Sequence, residues 1–135
     1  MKKFLVLLCI VCMMLSLFSC QAKDVNLDVV LNEEKSYFSD FKIENDKVYI
    51  YCTLFIENKS DTEKVISLKA SFEKDVENGL LKEVLVSGYS LDESTQEFKL
   101  QKGENQLDVA FIGKYAGVDK KHDRLLPNIE ITEIE

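Results

Sequence analysis

A chain of 135 residues with 24 acidic against 17 basic side chains carries a formal net charge of −7, and 46% of its residues are hydrophobic. That acidic balance argues against nucleic acid as a partner and against adhesion to anionic headgroups by charge. There is no low-complexity tract and no internal repeat, and the length suits one domain.

In chain order, Lys2 and Lys3 precede an apolar run, Phe4 to Leu17, broken only by Ser16; the small residue Ser19 then stands before Cys20. A basic head, an apolar stretch and a small residue at a cleavage point are the layout of a secretory signal peptide. The run is 14 residues long, short of the roughly 20 that span a bilayer as a helix. Leu17-Phe18-Ser19-Cys20 resembles the lipobox of bacterial lipoproteins. The resemblance implies that the Cys20 thiol receives a diacylglyceryl group and that the chain is cut just before it. Two acyl chains hold a protein stably at a bilayer where one does not. Residues 1–19 are therefore expected to be the signal, 20–24 the lipidated cysteine and a short tether, and 25–135 a folded domain. Cleavage leaves 116 residues with 15 Lys+Arg against 24 Asp+Glu, a net −9. Cys9 and Cys12 depart with the signal, leaving Cys52 the one free thiol, so no internal disulfide is expected.

The remaining chain alternates with a period of two. Val25, Leu27, Val29 and Leu31 share one face of a first strand. Residues 36–43 form a second, with Phe38 and Phe41 out of step, as a bulge or an irregular edge requires. Residues 48–56, VYIYCTLFI, give the strongest signal. Val48, Ile50, Cys52, Leu54 and Ile56 alternate with Tyr49, Tyr51, Thr53 and Phe55, so both faces are apolar or aromatic and the strand should be central. After the polar turn ENKSDTEK, residues 65–72 place Ile66, Leu68, Ala70 and Phe72 on one face and Ser67, Lys69 and Ser71 on the other. EKDVENGLLKE is the one stretch with room for a helical turn, closed by Gly79. Strands are expected at 84–89, 97–100, 106–115 and 128–134, with QKGEN as a hairpin-type connection containing Gly103.

Eight short strands and almost no helix indicate an all-β antiparallel sandwich or barrel, with the sandwich favoured. The two-faced strand at 48–56 and the long connection from Gly113 to Pro127, which reads as a crossing between sheets, support this. The stretch VYIYCTLFIENKSDTEKVISLKASF resembles the strand, Asn-turn, strand passage of immunoglobulin-like lipoproteins from low-GC Gram-positive bacteria. It implies an immunoglobulin-like fold of about seven to eight strands and carries no site residues. The Cys…Trp…Cys signature of antibody-type domains is absent.

Few residues read as chemistry. Cys52 falls on the core register of its strand, where a thiol is inert. Ser39-x-x-Lys42 and Ser71-x-x-Lys74 match a nucleophile pattern that requires a helix, yet both lie in strand-like sequence and lack the partner motifs. Asp119, His122 and Asp123 could crowd one turn, but the spacing is that of a solvated loop. The reading is non-enzymatic, with no cofactor and no metal. What remains is the segment 113–127, the longest without alternation. Lys114, Lys120, Lys121 and Arg124 outnumber Asp119 and Asp123, while Tyr115 and Leu125 add apolar area. Lys114, Tyr115, Lys120, Lys121 and Arg124 are thus the candidate binding residues, facing a protein or peptide partner of acidic or polar character. The expected role is that of a binding or accessory module on the extracytoplasmic face of a membrane, held through Cys20. The alternative is an immunity-type lipoprotein that intercepts a peptide toxin or antibiotic at the bilayer.

Overall fold

The computed structural model describes residues 28–119 and 123–134. Strand β3 (Lys47–Asn58) is the axis of the fold and pairs along its whole length with β7 (Gly103–Lys114), from Lys47↔Lys114 to Asn58↔Gly103. Its other edge is shared end to end by β1 (Val29–Leu31), on Ile56 to Asn58, and β2 (Tyr37–Glu44), on Lys47 to Thr53. Of the first expected strand, residues 25–27 lie outside the described residues. Between β1 and β2 the chain leaves the ladder, and Ser36 repairs it. Its hydroxyl donates to the Asn32 carbonyl (2.7 Å) and accepts from the Phe55 amide (2.9 Å), so a backbone donor that neither strand reaches is satisfied. Asn45 and Asp46, at φ 51° and 61°, make the two-residue turn from β2 into β3 that this pair of residue types favours.

The second layer is built on β4 (Lys64–Ser71), with β8 (Asn128–Ile134) along one edge and β6 (Glu97–Leu100) along part of the other. Strand β5 (Leu85–Tyr89) belongs to both layers: Leu85 to Ser87 pair with β4, then Gly88 and Tyr89 pair with β7. Gly88 is what lets β5 cross. A Cβ there would stand 2.9 Å from Val109 Cγ1 and 3.0 Å from Phe111 Cε1. The eight antiparallel strands are therefore continuous on the β5 side. On the other side β2 pairs only with β3 and β8 only with β4 among the described residues, leaving the sandwich open there.

The core lies between the layers and is the one the alternation marks. Val48, Ile50, Cys52, Leu54 and Ile56 face Ile66, Leu68, Ala70 and Phe72, with Val109 and Phe111 from β7. Phe72 meets Phe111 edge to face at 6.1 Å. A short helix α1 (Glu73–Glu77) follows β4, and Gly79 at φ 80° ends it. Phe38 and Phe41 both point inward because β2 carries a bulge between Phe38 and Asp40.

Two expectations need correction. QKGEN is not a hairpin, since β6 lies in the layer of β4 and β7 in that of β3; the segment is a corner between layers. Asn105 pins it, accepting from the Gln101 amide (2.9 Å) and donating to the carbonyls of Gln101 (2.9 Å) and Gly103 (3.0 Å). Strand β7 also starts three residues before Gln106 and ends at Lys114, with Tyr115 making only an isolated bridge to Leu81.

Asn58 ends β3 fully buried, and its side chain is saturated. Its amide donates to the carbonyls of Thr62 (2.9 Å) and Leu100 (3.2 Å), and its oxygen accepts from the Ser60 amide (3.0 Å) and hydroxyl (2.7 Å). One side chain thus ties β3, the turn into the second layer, and β6. Asn58→Ala leaves several of these groups without a partner and should cost about 2–4 kcal/mol, read as a lower urea midpoint at an unchanged slope.

Cys52 supplies a pH signature. It is 1% exposed, and burial pushes its thiol from 9.0 up to about 12. A folded-state pKa above the unfolded one means full stability below pH 9, lost as pH rises toward 12, because the unfolded thiol ionises first. The loss should reach about 1.4 kcal/mol by pH 10, and Cys52→Ala should lack that part of the slope in denaturation curves taken from pH 8 to 11. In native buffer the thiol should react slowly with a thiol reagent until denaturant is added.

Candidate binding cleft

On the open side, the chain entering β8 runs past the edge of β2. Exposure alternates along Asp123-Arg124-Leu125-Leu126, with Asp123 and Leu125 outward and Arg124 and Leu126 inward. Leu126 packs against the core, while Leu125 is 83% exposed. Pro127 then sets the extended entry into β8 at Asn128. Beneath this segment is a cleft of about 340 Å³ with Phe38, Ile50 and Phe72 among its apolar lining residues; Glu73, Lys74, Asp75, Asp123 and Arg124 also line it.

Arg124 holds the segment down. Its Nη1 donates to Asp75 Oδ1 at 2.8 Å, Nη2 lies 3.9 Å from Asp119 Oδ1, and the guanidinium stands 4.0 Å from the Phe41 ring centroid. The side chains of Arg124 and Asp75 are 11% and 10% exposed, so this is a nearly dry ion pair stacked on an aromatic ring. A guanidinium suits the place because it can bond a carboxylate in its plane and lay its face on a ring together, which an ammonium cannot. Asp75 is in turn fixed by α1, whose end folds back so that the Leu80 and Leu81 amides donate to the Asp75 carbonyl (2.8 and 3.2 Å).

The structure separates the sequence candidates. Arg124 lines the cleft but is committed to Asp75 and Phe41, so it acts first as a brace. Lys114 is exposed at the end of β7, where its carbonyl accepts from the Lys82 amide (3.1 Å); Tyr115 is half-buried against the core, its amide donating to the Asp46 carbonyl (2.9 Å). Neither borders the cleft. Lys120, Lys121, His122 and Cys20 lie outside the described residues. Among the described residues no group of three potential ligands could hold a metal. Ser71 and Lys74 both line the cleft, with Lys74 on α1 and not on a strand as expected, and no hydrogen bond joins them. Lys42 is taken by Glu44 at 3.0 Å.

Sequence reasoning did not find Phe38, Ile50, Phe72 and Asp75 as a group. The out-of-step phenylalanines of β2 were the one legible trace. Asp75 gives none, since its partner is 49 residues away. Chemically, the cleft can seat an apolar side chain or a short stretch of chain against its floor, with polar rim groups to orient it. Compared with protein families, with curated proteins and with solved structures, the chain matches none of them.

The brace is testable without a ligand. Arg124→Met should destabilise by about 2–4 kcal/mol by taking the guanidinium away from the nearly buried Asp75 carboxylate. Asp75→Asn with Arg124→Met should recover part of that loss in a double-mutant cycle by chemical denaturation.

Proposed function

We propose that this chain is a membrane-anchored extracytoplasmic lipoprotein whose β-sandwich, of immunoglobulin-like kind, acts without catalysis as a binding or accessory module. The anchor rests on Lys2, Lys3, the apolar run and the Leu17-Phe18-Ser19-Cys20 passage. The eight residues between Cys20 and β1 reach at most roughly 29 Å fully extended, so the domain stays near its membrane. The binding reading rests on one observation: Leu125 is held almost fully exposed at the lip of an apolar-floored cleft by a braced segment. A leucine with no packing role in its own fold, beside a concave surface, is the arrangement in which a partner supplies the missing contacts. The partner fitting it is a protein or peptide that inserts an apolar side chain beside Leu125.

Two measurements test the two halves. Cys20→Ser should abolish labelling by a fatty-acid analogue, and equal labelling of variant and wild type would remove the anchor.

For the cleft, a photo-crosslinking amino acid at position 125 in the membrane-bound protein should give a discrete adduct that the same group at Glu97, on β6, does not. Leu125→Glu should weaken partner retention at least tenfold while leaving thermal unfolding within about 1 °C, as expected for an exposed site. Equal adducts from both positions would move the site elsewhere.

A further inference from the structure

The outer face of β3 carries three aromatic rings, Tyr49, Tyr51 and Phe55, at alternate positions with Thr53 between. The chain's own lysines serve two of them. Lys42 Nζ stands 4.6 Å from the Tyr49 ring centroid and is paired with Glu44 at 3.0 Å; Lys35 Nζ stands 5.7 Å from that of Phe55 and is paired with Glu104 at 3.0 Å. Each ring thus has an ammonium, and each ammonium a carboxylate. Tyr51 is the third ring. It stacks beside Tyr49 at 6.3 Å.

On its other side Tyr51 borders a groove of about 290 Å³ that it lines with Ser39, Asp40, Cys52, Leu91 and Asp108. Sheet register explains the two carboxylates. Asp40 is the direct partner of Tyr51 on β2, and Asp108 is the direct partner of Thr53 on β7, so both share the outer face and flank Tyr51 from opposite neighbours. The bulge in β2 makes this so. In a regular ladder running on from Phe38↔Cys52, Ser39 would stand opposite Tyr51 and Asp40 opposite Ile50, pointing at the core. Asp40 Oδ1 accepts from the Phe41 amide (2.7 Å) and Asp108 Oδ1 from the Thr53 hydroxyl (2.9 Å), which orients both side chains. Neither carboxylate has an ion-pair partner among the described residues, and both residues are exposed. Leu91, 55% exposed, forms the apolar wall. Its loop is fastened by Asp92, whose carboxylate accepts from the hydroxyls of Ser90 (2.6 Å) and Ser94 (2.7 Å).

We infer that this groove binds an organic cation, the lysine or arginine side chain of a basic peptide, with its charge between Asp40 and Asp108, its stem along Leu91 and its face or ammonium on the Tyr51 ring. The groove presents the combination of ring and carboxylate that the neighbouring positions fill from within, on a domain whose net charge favours a cationic partner. The site is separate from the cleft at Leu125, and neither stands or falls with the other.

The test uses the full chain in neutral detergent micelles and, as probe, N-acetylated, C-amidated tetralysine followed by two-dimensional NMR. Saturable shifts should centre on residues 39–41, 51, 91 and 108, and tetraglutamate should give none. Asp40→Asn and Asp108→Asn keep the oriented oxygens and should each weaken binding about tenfold, the fold-change for a lost charge-assisted contact. Tyr51→Leu should weaken it about threefold. The control, Glu83→Gln with Glu97→Gln, removes two charges elsewhere and should change affinity less than twofold. No saturable binding up to about 10 mM, where the affinity scale reaches only weak contacts, would overturn the inference. So would shifts centred elsewhere, or a control that weakens binding as much as the groove variants.

Discussion

The unbroken ladder between β3 and β7 is the constraint on which the rest of the molecule depends. Twelve consecutive residue pairs fix which side chains of each strand face inward, and a slip of one residue would turn Cys52, Leu54 and Ile56 out and Tyr51, Thr53 and Phe55 in. The slip is opposed from both faces, since one carries the core and the other the aromatic row with its lysines. At one end of the ladder Asn58 turns the chain into the second layer. Near the other, Gly88 lets β5 lean across from β4 to β7. Both joints work because the strand they start from cannot shift.

Closure on the β5 side leaves the opposite side open, and there the fold uses charge where elsewhere it uses strand pairing. The Arg124–Asp75 pair is a small contact, but it is nearly dry and stacked on Phe41, and its geometry leaves little freedom to the segment it holds. An ion pair of this kind adds little stability over a well-packed apolar substitute; its contribution is to favour the one arrangement that brings these two nearly buried charges together. Leu125 stays exposed for the same reason: its neighbours Arg124 and Leu126 are already committed inward.

The bulge at Ser39 links the two surfaces proposed for binding. By adding one residue it lets Phe38 and Phe41 both face the core, where Phe38 lines the cleft and Phe41 carries the Arg124 guanidinium. The same residue turns Asp40 outward over Tyr51. One irregularity in an edge strand thus serves opposite faces of the sheet, and it also makes that edge a poor template for pairing with another chain.

Period-two alternation by itself determined the strands, the inward faces of β3 and β4, the burial of Cys52, and the all-β class. These are local properties: which face of a strand is apolar can be read from its own residues. The crossing between Gly113 and Pro127 and the helical turn closed by Gly79 were legible for similar reasons, since both depend on a local break in pattern. Only the tertiary structure decided that QKGEN is a corner and not a hairpin, because whether two successive strands share a sheet depends on what each pairs with elsewhere. It alone decided that Arg124 is a brace while Leu125 is exposed, since a charged loop residue reads the same in sequence whether or not a carboxylate waits 49 residues away. The grouping of Asp40, Tyr51 and Asp108 was equally hidden, for it exists only where three strands lie in one register. Alternation tells a strand which way to face, but not which strand will face it.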